Sequence, residues 1–183
     1  MMGRTTIMAN AISRRYDATT IALHWLTAGL VVLLWIIGQT ADWAPRGPLQ
    51  TGYWSVHVLL GFVLALALAG RILWRGFRGR RLPAADAGVL GFLAEATHYA
   101  LYGILLVVVG LGILNAVVRG YGLFGLFNLP QWGDPAWRKP ITHWHGLAAN
   151  VLLAVALLHA AAALAHHYVM RDGVLRRMLP RLP

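Results

Sequence analysis

The sequence predicts an all-α protein, a transmembrane four-helix bundle with both termini cytoplasmic. Three observations carry that prediction. The 183 residues are 58% hydrophobic and only 12% charged, about half the charged fraction of a soluble domain. The charges are grouped, which leaves four apolar runs long enough to cross a bilayer, since a spanning helix needs ~20 apolar residues. The basic residues are also divided unevenly among the connections between those runs. Residues 1–183 are read as one membrane-embedded domain, with no room for a separate soluble one.

Met1 to Asp17 is a polar leader with Arg4, Arg14 and Arg15. The first span, Thr19 to Gln39, is longer than the ~7–15 apolar residues of a signal peptide and contains His24, so it reads as a retained helix. Asp42 to Tyr53 is a loop with the turn formers Pro45, Gly47 and Pro48. The second span, Trp54 to Trp74, ends in the basic cluster Arg71, Arg75, Arg78, Arg80 and Arg81. Leu82 to Glu95 is a linker expected to lie along the membrane surface. The third span is Thr97 to Val118. Arg119 to Pro140 contains YGLFGLFNLPQW and is expected at the interface, where Trp and Tyr are enriched. The fourth span, His143 to Tyr168, leads into a basic tail from Met170 to Pro183.

Four spans put both chain ends on one side. Most of the 16 basic residues lie in the leader, the second connection and the tail; the other two connections hold Arg46, Arg119, Arg138 and Lys139. By the positive-inside rule that side is cytoplasmic. In a soluble domain the net charge of +10 would suggest nucleic acid. Here the arginines flank apolar spans, so the expected partner is the lipid bilayer and not nucleic acid. Cysteine is absent, which excludes disulfides, cysteine-ligated iron–sulfur clusters and haem attachment through C-x-x-C-H.

The histidines within the spans point to function, because a polar ring in hydrocarbon needs a partner. With the orientation above, His24 and His159 lie near the inner face, and His57 and His145 near the outer face. His145 and His159 are 14 residues apart, which on a helix is ~21 Å of rise along nearly one face. A lone membrane histidine is more often a hydrogen-bonding group than a ligand. Two depth-matched pairs favour two haem b groups with bis-histidine ligation in a bundle core. A small residue stands one turn after each histidine: Ala28, Gly61, Ala149 and Ala163. Zinc would need about four ligands gathered at one point, which this spacing separates. All five methionines lie outside the spans, which argues against methionine ligation. His98 and His166 are candidates for a quinone or proton site, with a plain interfacial location as the competing reading. No span contains an acidic residue, which argues against an ion or proton transporter.

The stretches IALHWLTAGLVV, WSVHVLLGF and HWHGLAANVLLAVALLHAAAALAHHYVMRDGVLRRMLP resemble the bacterial cytochrome b-561 family, from about Tyr16 to Pro180. The tail from LHAAAALAHHY to RRMLP is the most specific part. The resemblance implies a small dihaem protein of the bacterial inner membrane, with iron ligands at His24, His57, His145 and His159. It implies electron transfer between an outer-face donor and ubiquinone or another membrane quinone. Some members look like superoxide oxidases, superoxide:ubiquinone oxidoreductases, which makes superoxide a candidate donor. More distant relatives are cytochrome b subunits that dock to a hydrogenase or dehydrogenase, so a redox partner protein is the alternative. The sequence names no catalytic residue. Arg138 and Lys139, in outer connections that also carry Asp42 and Asp134, are candidates for steering an anionic substrate or for anchoring at the interface.

Overall fold

The structure, a computed structural model, describes residues 15–80, 82–83 and 88–180. Four long helices run through it: α1 (Ala18–Thr40), α2 (Pro48–Phe77), α3 (Gly88–Arg119) and α4 (Arg138–Ala165). Each is long and apolar enough to cross a membrane. Exposed Val32, Leu33, Leu66, Val107, Leu157 and Leu158 give the bundle the apolar outer surface that lipid requires. The bases Arg4, Arg14, Arg81 and Arg181 lie outside the described residues.

The boundaries differ from expectation in three places. Helix α2 begins at Pro48, because proline suits a first turn that has no N–H partner to lose, and Gly47 supplies the positive φ of 129° before it. Helix α3 begins at Gly88, so the second half of the expected surface linker forms its first turns. Helix α4 begins at Arg138 and passes after Ala165 into a π-helical turn, His166–Met170. Arg171, at φ 56°, ends that turn, and the Asp172 N–H donates back to the His166 carbonyl.

The start of α1 and the end of α2 are stapled by one carboxylate. Asp17 accepts from the Thr20 N–H (2.9 Å) and hydroxyl (2.7 Å), as an N-cap does. It also accepts from the Trp74 indole (2.9 Å) and the Arg80 N–H (3.1 Å). Burial works to raise the Asp17 pKa, but the Thr20, Arg80 and Trp74 hydrogen bonds outweigh it and hold the carboxyl well below the usual range.

Helices α1 and α2 pack closely as one hairpin and α3 and α4 as another; the contact between hairpins is sparser. The middle of the bundle is filled by Leu30, Leu34, Leu64, Leu68, Val108 and Leu152. A hydrogen bond from the Trp35 indole to Asn150 (2.9 Å) ties α1 to α4. The Tyr16 N–H donates to the Arg177 carbonyl (3.2 Å) and the Trp25 indole to that of Met178 (2.8 Å). The two ends of the described chain therefore meet at one end of the bundle, here the terminal end.

The α1–α2 and α3–α4 connections form the opposite, loop end. In the longer one, β1 (Gly122–Leu123) pairs antiparallel with β2 (Phe127–Asn128). The Phe124 N–H donates to the hydroxyl of fully buried Ser55 (2.8 Å), which itself donates to the Thr51 carbonyl. This fixes the loop two residues before His57.

Candidate functional site

At the loop end, His57 of α2 and His145 of α4 face each other. Their ring centroids are 6.2 Å apart and their planes are inclined at 83°. A metal–imidazole bond is about 2 Å and the ring centre lies roughly 1 Å behind the nitrogen, so two imidazoles on one metal have centroids ~6 Å apart. The separation fits a shared iron.

Each ring lies in a notch on the other helix of its own hairpin. His145 Nδ1 lies 3.0 Å from the Val108 carbonyl. In the neutral tautomer Nδ1–H donates there and leaves the Nε2 lone pair for a metal, the usual arrangement behind a ligating histidine. Four residues on, Gly112 leaves the space the ring needs: a Cβ there would sit 3.1 Å from His145 Cε1. Helix α1 repeats the notch for His57. A Cβ at Gly38 would sit 3.4 Å from His57 Cε1. His57 Nδ1 makes only a loose approach to the Leu34 carbonyl. Among the described residues it is the one buried side-chain polar atom without a well-formed hydrogen bond.

The terminal end gathers more than the two histidines expected there. The rings of His98 and His159 are 5.2 Å apart at 72°. His24 lies within electrostatic reach of both. Its Nδ1 accepts from Arg71 (3.1 Å), whose guanidinium also lies over the Tyr102 ring at 5.0 Å. Among the described residues, no three histidine or carboxylate side chains converge in metal-binding geometry. A metal here needs ligands of its own, as the four nitrogens of a porphyrin provide.

His166 lies in the π-helical turn beyond α4, and its Nδ1 pairs with the Asp172 carboxylate. That bond, with one from the Val174 N–H, pulls the Asp172 pKa below its ordinary value. Of the loop-end bases, Lys139 is exposed and Arg138 half-buried, its Nε 3.4 Å from the Val118 carbonyl. Arg119 is engaged by Asn115 (2.9 Å) and Thr142 (2.7 Å), so it holds α3 to α4. An apolar groove of about 590 Å³ runs between α3 and α4 past Gly103, Val107, Trp144 and Ala148, and none of the histidines lines it.

Sequence reasoning missed Arg71, which reads as one of several basic anchors, and Gly38 and Gly112, which read as packing residues. A signal was present. Gly38 follows His24, and Gly112 follows His98, at the same 14-residue interval that separates His145 from His159.

The prokaryotic cytochrome b561 family matches residues 15–181. The chain is 30% identical over 174 residues to the probable superoxide oxidase CybB of Yersinia pestis, covering 92% of this chain and 97% of that one. It is 30% identical over 171 residues to cytochrome b562 of Cereibacter sphaeroides, covering 90% and 94%. It is 31% identical over 180 residues to cytochrome b561 homolog 2 of Escherichia coli, covering 90% and 91%. The match runs through all four helices and both histidine layers, and the chain belongs to the prokaryotic cytochrome b561 family of haem b-binding membrane electron-transfer proteins.

Proposed function

We propose that this protein carries electrons between a donor at the outer face of a bacterial inner membrane and the quinone pool, using two haem b groups. The observation that carries the reading is the facing pair His57 and His145, 6.2 Å apart and each backed by a glycine notch. They hold one haem at the loop end. His24 and His159 hold the other at the terminal end. The division of the basic residues supports a cytoplasmic terminal end.

Haem iron held by two imidazoles exchanges electrons at the porphyrin edge and keeps no open position for dioxygen. An outer-sphere donor suits such a site, and the similarity to a probable superoxide oxidase supports superoxide. Two superoxide anions would each lose one electron and leave as dioxygen. Those two electrons and two protons convert a quinone to its quinol. Arg138 and Lys139 lie at the donor face. His166, with Asp172 behind it, lies at the cytoplasmic end and can pass a proton to a quinone oxygen; His98 is the other candidate for that role.

The test is the purified protein's haem content and reduced-minus-oxidised spectrum, with stopped-flow mixing against superoxide and a quinol. Two haems per chain and fast reduction by both are expected. His57→Ala and His145→Ala should remove one haem, and His24→Ala and His159→Ala the other. Two haems in all four variants would refute the ligand assignment. No reduction by superoxide, together with a copurifying dehydrogenase, would favour a docked cytochrome b subunit.

A further inference from the structure

The two hairpins repeat one another. A shift of 74 positions carries His24, Leu34 and Gly38 of α1 onto His98, Val108 and Gly112 of α3; a shift of 88 carries His57 and Arg71 of α2 onto His145 and His159 of α4. The contacts repeat with the residues. At the loop end His57 lies against Gly38 as His145 lies against Gly112. At the terminal end Arg71 meets His24 as His159 meets His98. The matched loop-end positions are both histidine. The matched terminal-end positions are not: Arg71 stands where the second hairpin has His159.

A guanidinium has donors and no acceptor, so Arg71 cannot ligate iron. It is half-buried within a membrane-spanning helix. Around it are His24 on α1, Tyr102 and His98 on α3, His159 on α4 and Arg75 on its own helix. None of these is an anion, and among the described residues no carboxylate pairs with it. A charge at this depth calls for a counter-charge.

The bond to His24 does not supply one. His24 Nδ1 accepts from Arg71, so a neutral ring carries its proton on Nε2. A neutral imidazole that gives Nε2 to iron carries its proton on Nδ1 instead, and two donors make no hydrogen bond. With His24 on iron, Arg71 must turn to another acceptor.

We infer that Arg71 is the anion-binding residue of the terminal-end site and takes a propionate carboxylate of the haem held by His159. The inference rests on the ligand reading proposed above. Haem b brings its own carboxylates; the one acidic residue of α1–α4, Glu95 of α3, acts on His98 and is not among the groups that act on Arg71. A fixed positive charge beside the porphyrin favours the ferrous state, so Arg71 raises the potential of this haem relative to a neutral residue.

The experiment is a spectroelectrochemical titration of the purified holoprotein, resolving two midpoints. Arg71→Gln should lower one midpoint, that of the haem lost in His159→Ala, and leave the other in place. Arg71→Lys keeps the charge and should restore most of the shift. Wild-type protein reconstituted with the dimethyl ester of haem, whose propionates carry no charge, should move that midpoint upward, opposite to Arg71→Gln, because negative charge is removed and Arg71 stays. With its anchor gone, Arg71→Gln should then lower the midpoint by a different amount than it does with haem b. Unchanged midpoints in Arg71→Gln with both haems retained would overturn the proposal, as would shifts from ester and variant that simply add. If Arg71→Gln does not accumulate, the ester in the wild type decides, and an unmoved midpoint overturns it. Retention of both haems in His159→Ala would instead remove the ligand reading beneath it.

Discussion

His57 and His145 stand on the second helix of each hairpin with their ring centroids 6.2 Å apart, and each ring is backed by a glycine on the helix before it. The two notches are not equally tight. A Cβ at Gly112 would lie 3.1 Å from His145 Cε1, closer than ordinary contact, whereas one at Gly38 would lie 3.4 Å from His57 Cε1. Overfilling a packed site costs about 1–3 kcal/mol. Gly112→Ala should therefore displace His145 and weaken haem retention at the loop end, with a smaller effect from Gly38→Ala. Haem-to-protein ratio after graded heating measures this. Equal retention in both variants would show that the glycines do not set the ring positions.

The four spans were legible because each is a long apolar run that no soluble element resembles. Their ends were less so. The first turns of α3, from Gly88, precede Glu95 and follow a proline, which reads as linker; their apolar Val89, Leu90, Phe92 and Leu93 stay exposed, so no buried face marks them as helix. The pairing of residues as short as Gly122–Leu123 with Phe127–Asn128 leaves no periodicity to detect. The depth-matched histidines could be read from spacing and charge alone. Arg71 could not, since an arginine near the end of a span looks like an anchor until neighbouring helices show that it faces histidine and tyrosine. His98 was expected at the same membrane face as His159, but their ring contact depends on how α3 and α4 rotate against each other, which sequence spacing leaves open.

Asp17 predicts an acid-sensitive staple. Its folded-state pKa is depressed, so its contribution is fully present above the unfolded carboxylate value of about 3.9 and is lost as pH falls further. Asparagine caps a helix about as well as aspartate, so Asp17→Asn keeps the cap and removes the charge. Asp17→Asn should lower the thermal midpoint at neutral pH, and the gap from wild type should close as pH drops below about 4. Thermal scans across pH in one detergent test it; a gap that persists unchanged at acid pH would mean that the carboxylate charge is not what matters.

The meeting of Tyr16 with Arg177 constrains topology whichever way the bundle inserts. Reporters fused before Met1 and after Pro183 should give the same sidedness. The distribution of arginines further predicts that this side is cytoplasmic, and that a cysteine introduced at Gly133 is labelled from outside. Outside labelling at the termini would reverse the orientation and with it the face at which the donor arrives.

The surroundings of the loop-end bases decide which of them can test steering. Arg119 is tied to Asn115 and Thr142, so its replacement would disturb the α3–α4 seam and confuse any rate change. Lys139 is exposed and Arg138 half-buried beside the Val118 carbonyl, which makes Lys139→Glu the cleaner variant and Arg138→Glu its companion. Charge at a site mouth raises encounter rates by ~10-fold or more in favourable cases, so reversing these two should slow reduction by superoxide several-fold. The loss should be largest at low ionic strength and fade above about 0.1 M salt, where the screening length falls to ~10 Å. Reduction by a neutral quinol should hardly change, because it carries no charge to steer. Stopped-flow traces of both reactions across a salt series separate the cases. A superoxide rate indifferent to charge reversal would leave Arg138 and Lys139 as interfacial anchors. Equal slowing with superoxide and quinol would point to a disturbed loop instead of a lost field.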